Sequence, residues 1–338
     1  MSKTLRVLII KLASMGDLVH LLPALTDACE AYPSITFDWV VDKSFSEVPS
    51  WHGSVHRRIL TNHRKWRSSP FAKKTRTEFS GMLKNLREED YDLVIDAQGN
   101  LKTGILGCFA KGKKVGASGS SVQEWGTHFF YQKKINLPKN VHAITFLRTL
   151  LSRTLNYPVP ETSPNYGIDK TKLMVPNIPL PSSYLIFVPI ASFPSKLWPE
   201  KSWRTLIDLG KDLNLQILIP SGNETEKQRA EALAKDRFFV TALPKLTLSE
   251  IGYLILNAKA VVSVDTGLSH IAAALDTPSL TLYGPTNPDI TGTIGKNAHL
   301  ITAPCNCPGN KTCKTPARFC LKNIAPEEVF EALCRLLP

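Results

Sequence analysis

The stretch RVLIIKLASMGDLVHLLPAL, Arg6 to Leu25, reads as a strand, a turn and a helix in direct succession. Arg6–Lys11 is a short apolar run of strand length. Gly16 permits a tight turn. Beyond it, Leu18, Leu21, Leu22, Leu25 and Ala28 recur at helical spacing, so one helix is expected over Asp17–Tyr32. The same unit recurs downstream. Strands are expected at Ile35–Val41 and Asp92–Ala97, with helices at Phe71–Glu88, about Asn100 to Ala110, and Val141–Leu155. Tyr157–Ser183 carries six prolines and no period, which marks a linker.

The pattern then restarts. Strands are expected at Tyr184–Pro189, Leu215–Pro220, Phe238–Ala242, Ala260–Val264 and Ser279–Tyr283. Helices are expected at Trp198–Leu213, Glu224–Lys235, Leu248–Asn257, Leu268–Leu275 and Pro326–Leu337. Short apolar strands alternating with helices call for parallel sheets covered on both faces. The expected fold is therefore α/β, with two doubly wound, Rossmann-like domains facing across a cleft. Their expected bounds are 1–165 and 184–325, with a linker over 166–183 and a terminal helix over 326–338. Ligands of such sheets bind at the carboxyl ends of the strands, so the turns after strands are where chemistry is sought.

The chain has 338 residues, 43% hydrophobic and 21% charged, which excludes disordered and collagen-like classes. No apolar run reaches the ~18 residues of a membrane span, and the start lacks a signal-peptide core. A cytoplasmic protein with at most peripheral membrane contact is expected. The net charge is +12, of which residues 1–165 carry +9. Between Trp51 and Thr77 stand eight Lys or Arg and no acid. Nucleic acid, anionic lipid and a phosphorylated substrate all fit such a segment, as does a solvated basic face.

Several patterns fail on context. Gly107–Lys114 has P-loop glycines, but Lys114 stands where Ser or Thr is needed, and the segment ends a helix instead of following a strand. No G-x-G-x-x-G follows a strand. Asp90-Tyr91-Asp92 matches the D-x-D of metal-dependent glycosyltransferases, but it lies where a strand begins. Cys29, Cys108 and Cys334 sit in apolar helical patterns and are expected to be buried. Cys305, Cys307, Cys313 and Cys320 are spaced C-x-C-x5-C-x6-C, a poor match to paired zinc ligands. No metal site is expected.

Four post-strand turns survive. In Lys11–His20, Asp17 either caps the helix or stands at the sheet edge as a general base. In Val264–His270, Thr266 and Gly267 open a helix whose free N–H groups suit a phosphate. Asp265 suits sugar hydroxyls, and His270 is either a donor contact or a core histidine. In Pro189–Pro199, Lys196 is placed to balance a leaving phosphate. In Pro220–Glu226, the carboxylates either bind ribose or base, or simply start a helix.

Taken together, these turns resemble the lipopolysaccharide heptosyltransferases, glycosyltransferases of the GT-B fold. The resemblance runs over nearly the whole chain. It rests on K-x-x-S-M-G-D-x-x-H-x-L-P-A-L (Lys11–Leu25), F-D-W-V-V (Phe37–Val41), Y-D-x-V-I-D-A-Q-G (Tyr91–Gly99), K-x-W-P (Lys196–Pro199), V-V-S-V-D-T-G-L-S-H-x-x-A-A-L-D-x-P (Val261–Pro278) and Y-G-P-T (Tyr283–Thr286). F-D-W-V-V and P-S-W-H (Pro49–His52) look more like the heptosyltransferase I branch. The Cys305–Cys320 segment looks more like the end of heptosyltransferase II.

The resemblance implies inverting transfer of L-glycero-D-manno-heptose from ADP-heptose to Kdo2-lipid A. No cofactor is implied. Asp17 is implied as the base. Ser192, Lys196, Glu226, Asp265, Thr266, Gly267 and His270 are implied on the donor side. Ser14, Met15, Gly16, Arg64, Arg67, Lys73 and Gln98 are implied on the acceptor side. The enzyme is expected to be a monomer on the cytoplasmic face of a Gram-negative inner membrane, without nucleic-acid partners. A GT-B nucleotide-sugar epimerase and a nucleic-acid-binding protein are the other readings.

Overall fold

Strand β1 (Arg6–Ile10) is hydrogen-bonded on both sides, to β2 (Thr36–Asp42) and β4 (Asp90–Asp96), and every neighbour in its sheet runs parallel. With β3 (Val55–Thr61), β5 (Lys111–Ala117) and β6 (Lys133–Ile135) the order is β3-β2-β1-β4-β5-β6. The computed structural model describes residues 4–119, 121–304 and 321–337; the Arg64 side chain and the segment holding Cys305, Cys307, Cys313 and Cys320 lie outside that description. The helices of this half are α1 (Met15–Val19), α2 (Leu22–Ala31), α3 (Glu47–Ser50), α4 (His63–Ser68), α5 (Lys73–Arg87), α6 (Leu101–Cys108) and α7 (Ala143–Leu155).

A second sheet repeats that order. It comprises β7 (Tyr184–Val188), β8 (Gln216–Ile219), β9 (Val240–Ala242), β10 (Ala260–Val264), β11 (Ser279–Tyr283) and β12 (Ala298–Thr302), arranged β12-β11-β10-β7-β8-β9. Its helices are α8 (Glu200–Leu209), α9 (Glu224–Ala234), α10 (Leu248–Asn257), α11 (Gly267–Ala274), α12 (Pro288–Thr291) and α13 (Pro326–Leu336). The chain divides into two compact units, Met1–Lys172 and Leu173–Pro338.

Alternation along the strands explains why both faces must be covered. In β1, Leu8 and Ile10 pack with Met82 and Leu86 of α5 and Leu106 of α6, while Val7 and Ile9, on the other face, are equally inaccessible. In the second unit Leu185, Phe187, Val262 and Val264 pack with Trp203 and Leu206 of α8, Leu233 of α9 and Leu333 of α13. The terminal helix α13 thus belongs to the second unit's core.

Several local expectations are corrected. The helix expected over Asp17–Tyr32 breaks into α1 and α2 around His20–Leu21, with Pro23 in the first turn of α2. Strands β3 and β5 were not expected, because Arg57 and Arg58, and Lys111, Lys113 and Lys114, hide their apolar alternation. The thiols of Cys108 and Cys334 are exposed and Cys29 is half-buried, so none of the three is a buried core cysteine.

Candidate active site

A doubly wound sheet opens a crevice where the strand order reverses. In the first unit that switch lies between β1 and β4, and Gln98 bridges it. Its Oε1 accepts from Leu12 N at 2.7 Å and Ala13 N at 3.4 Å, and its Nε2 donates to Ala13 O at 2.9 Å. The turn that carries Gln98 is itself held by Asp96. Gln98 N and Gly99 N donate to Asp96 Oδ1, each at 2.9 Å, and Tyr131 Oη donates to Oδ2 at 2.7 Å. Gly99 takes φ +76°, a conformation that favours glycine.

The clamped β1 loop delivers Asp17 to this edge as the third residue of α1. Ser14 N and Oγ donate to Asp17 Oδ2 at 2.9 and 2.7 Å, so Asp17 completes a capping box with Ser14 as N-cap. The expectation of Asp17 as the N-cap itself is corrected. Burial works against the Asp17 charge, but the Lys11 ammonium, the two Ser14 hydrogen bonds and His20 outweigh it and hold the carboxyl at about 2. Lys11 is itself buried and donates to Ala97 O at 3.1 Å. Sequence reasoning gave Lys11, His20 and Asp96 no role, although all three lie in the quoted motifs. Ser14 is exposed, Met15 half-buried and Gly16 buried. Gln98, expected on the acceptor, has its amide committed to the β1 loop.

In the second unit the switch lies between β7 and β10, and it is bridged by charge. Lys196 Nζ meets Asp265 Oδ2 at 2.5 Å, and His270 Nε2 stands 3.8 Å from Oδ1. Asp265 and His270 are buried; the Lys196 side chain is a quarter exposed. Burial opposes the Asp265 charge, yet His270 and Lys196 hold its carboxyl well below the ordinary range. Lys196, expected to balance a leaving phosphate, is also paired with Asp265. One of its three N–H donors serves that pair, which leaves two for a ligand. Thr266 is the N-cap of α11; Ser269 N donates back to Thr266 O at 3.1 Å, while the Gly267 and Leu268 N–H groups of the first turn have no partner among the described residues.

The remaining donor-side residues stand after β7 and β8. Ser192 is exposed on the loop after β7. Glu226 Oε2 accepts from Gly222 N at 2.7 Å, and Asn223 Oδ1 caps Glu226 N at 3.0 Å, so these residues do start the helix.

The basic segment is partly neutralised, contrary to its local sequence. Arg57 pairs with Glu88 at 2.6 Å and Glu89 at 3.1 Å, brought from α5's end and the turn before β4. Lys65, Arg67, Lys73, Lys74 and Arg76 are exposed and make no ion pair among the described residues. Asp90 and Asp92 sit at the start of β4, the edge opposite the Gln98 turn. There Asp90 pairs with Lys111 and Asp92 accepts from Arg6 N.

Residues 80–318 match the profile of glycosyltransferase family 9 (heptosyltransferase). Lipopolysaccharide heptosyltransferase 1 of Escherichia coli K12 is 42% identical over 302 residues, covering 89% of this chain and 94% of that protein. The structure of the E. coli heptosyltransferase WaaC with ADP superposes with a TM-score of 0.88 at 38% identity, covering 98% of this chain and all of that one. The same enzyme with ADP-2-deoxy-2-fluoro heptose gives 0.84, covering 98% and 99%.

Proposed function

This chain belongs to glycosyltransferase family 9, the heptosyltransferases, and from that premise we propose that it is a heptosyltransferase I, moving L-glycero-D-manno-heptose from ADP-heptose to Kdo2-lipid A. The observation that carries this reading is the 42% identity running over 94% of the E. coli heptosyltransferase 1. The two switch points supply the chemistry that the transfer needs.

The donor's diphosphate lies against the first turn of α11, where N–H groups and the helix dipole stabilise negative charge. The two free N–H donors of Lys196 meet the charge that grows on the leaving ADP. Asp265, itself beside His270, keeps that ammonium in place and offsets its charge. The acceptor hydroxyl is received at Asp17. A carboxylate held this low does not strip an alcohol in advance. It takes the proton as the new C–O bond forms and the oxygen becomes acidic. The hydroxyl oxygen bonds to the anomeric carbon from the face opposite ADP, the bond to ADP breaks, and the configuration inverts. The enzyme works as a monomer at the cytoplasmic face of the inner membrane. Exposed Arg67 and Lys73 attract the acceptor's phosphates and carboxylates.

Incubation with ADP-heptose, with and without Kdo2-lipid A, tests this. ADP release only with that acceptor, and a product heavier by one heptose, is the expected result. Turnover only with an acceptor that already bears a heptose would move the chain to heptosyltransferase II. Donor epimerisation without acceptor would overturn transfer altogether.

A further inference from the structure

Exposed apolar side chains gather in the first unit where α6 meets the loop between β5 and β6. Leu101 and Ile105 stand one turn apart on α6, 43% and 49% exposed. Trp125 and Phe129 are 81% and 68% exposed, and their rings meet edge to face at 6.1 Å. Gly126, between the two aromatics, stands beside the helix: a Cβ there would lie 3.7 Å from Leu101 Cδ2. Scattered exposed hydrophobics need no explanation, but a contiguous aromatic patch marks an interaction surface.

The patch is fastened to the catalytic edge. Gln123 N and Glu124 N donate to Gly99 O at 3.0 and 3.1 Å. Gly99 follows Gln98, whose amide holds the loop leading to Asp17. Positive charge fringes the patch: Lys102 and Lys134 are exposed, and Lys134 Nζ lies 5.9 Å from the Phe129 ring centre. Glu124 is the one acid between residues 118 and 132, and its carboxylate is committed to Leu101 N at 2.9 Å.

We propose that Leu101, Ile105, Trp125 and Phe129, fringed by Lys102 and Lys134, seat the first unit on an anionic lipid bilayer. The inference rests on the reading of a lipid-linked acceptor, and it names the surface through which the enzyme reaches that lipid. Tryptophan at the headgroup level with lysines reaching outward is the chemistry of an interfacial contact. A second copy of the chain fits less well, because a self-paired patch brings like charges together, whereas anionic headgroups neutralise them.

The test compares wild type with Trp125→Ser/Phe129→Ser and with Lys102→Glu/Lys134→Glu. Each is floated with vesicles of phosphatidylethanolamine and phosphatidylglycerol, or of phosphatidylcholine alone. Turnover is measured in parallel on a deacylated, water-soluble acceptor. Wild type is expected to bind the anionic vesicles. The aromatic variant should bind about tenfold more weakly, since two aromatic side chains lose their burial. The charge variant should lose the preference for anionic lipid. Both should turn over the soluble acceptor as wild type does, which also shows that they are folded. Equal flotation of wild type and aromatic variant would overturn the proposal. So would a wild type that ignores vesicles and forms a dimer that the aromatic variant loses. Vesicle binding as expected, with no transfer by any form, would support the surface and sink the transferase reading instead.

Discussion

The two units share one strand order and bridge their switch points in opposite ways. In the first, a neutral amide does it: Gln98 holds two backbone N–H groups and a carbonyl of the neighbouring loop. In the second, an ion pair does it, Lys196 with Asp265. A neutral clamp fixes a position without adding a field, which suits the loop leading to the carboxylate proposed as the base. A charged clamp stores donors and charge that an anionic ligand can recruit. One topology thus serves a positioning role in one half and an electrostatic role in the other.

The sharpest way to break this contrast is at Asp17. Asp17→Asn should lower kcat by ~10²–10⁴, the range of general base catalysis, and leave the donor KM nearly unchanged. The Asn oxygen still accepts from Ser14, so circular dichroism and Tm should move little. A near-normal kcat would leave Asp17 only its role in the capping box.

Lys196→Ala should reduce kcat/KM for ADP-heptose by about 10²-fold, through lost stabilisation of the leaving diphosphate. It also strands the buried Asp265 carboxylate, which should lower stability by about 3 kcal/mol. Lys196→Ala/Asp265→Asn should recover most of the stability and none of the activity. Full recovery of both would show that the charged clamp is structural, like the neutral one.

Gln98→Ala should cost about tenfold in kcat, because the Leu12–Ala13 loop drifts and carries Asp17 with it. Acceptor KM should change far less than kcat. The reverse pattern would return Gln98 to the acceptor-contact role expected from the motif.

The pH dependence is a gentler test. The Asp17 carboxyl is held at about 2, below its ordinary value. Its base form, and the stability it lends, are therefore complete above about pH 4 and fade only as pH falls toward 2. The pH profile of kcat/KM for the acceptor should show no acidic limb from Asp17 between pH 8 and 5. An acidic midpoint near 6 that disappears in Asp17→Asn would show that the neighbourhood of Lys11 and Ser14 does not govern the base. The smallest effect belongs to the exposed cations. Arg67→Ala/Lys73→Ala should raise the acceptor KM by about threefold and flatten its salt dependence, with the donor KM unchanged.

Much of this was legible along the chain. The run Leu8–Ile10 is apolar throughout and Ala260–Val264 is apolar but for Ser263, and each is followed by a Gly-containing turn and a helix. That pattern by itself determined parallel strands, two doubly wound halves and the turns in which chemistry is sought, because local periodicity decides which faces need covering. Asp17, Lys196, Asp265 and His270 were found the same way, as polar residues just past strand ends. What only the tertiary structure decided is who answers whom. Asp265 lies 69 residues from Lys196, and Gln98 lies 86 residues from Leu12. Arg57 looked free of acids until folding brought Glu88 and Glu89 beside it. Charge pairing and hydrogen bonding act through space over a few ångströms, and in a parallel sheet the strands that set those distances are far apart in sequence.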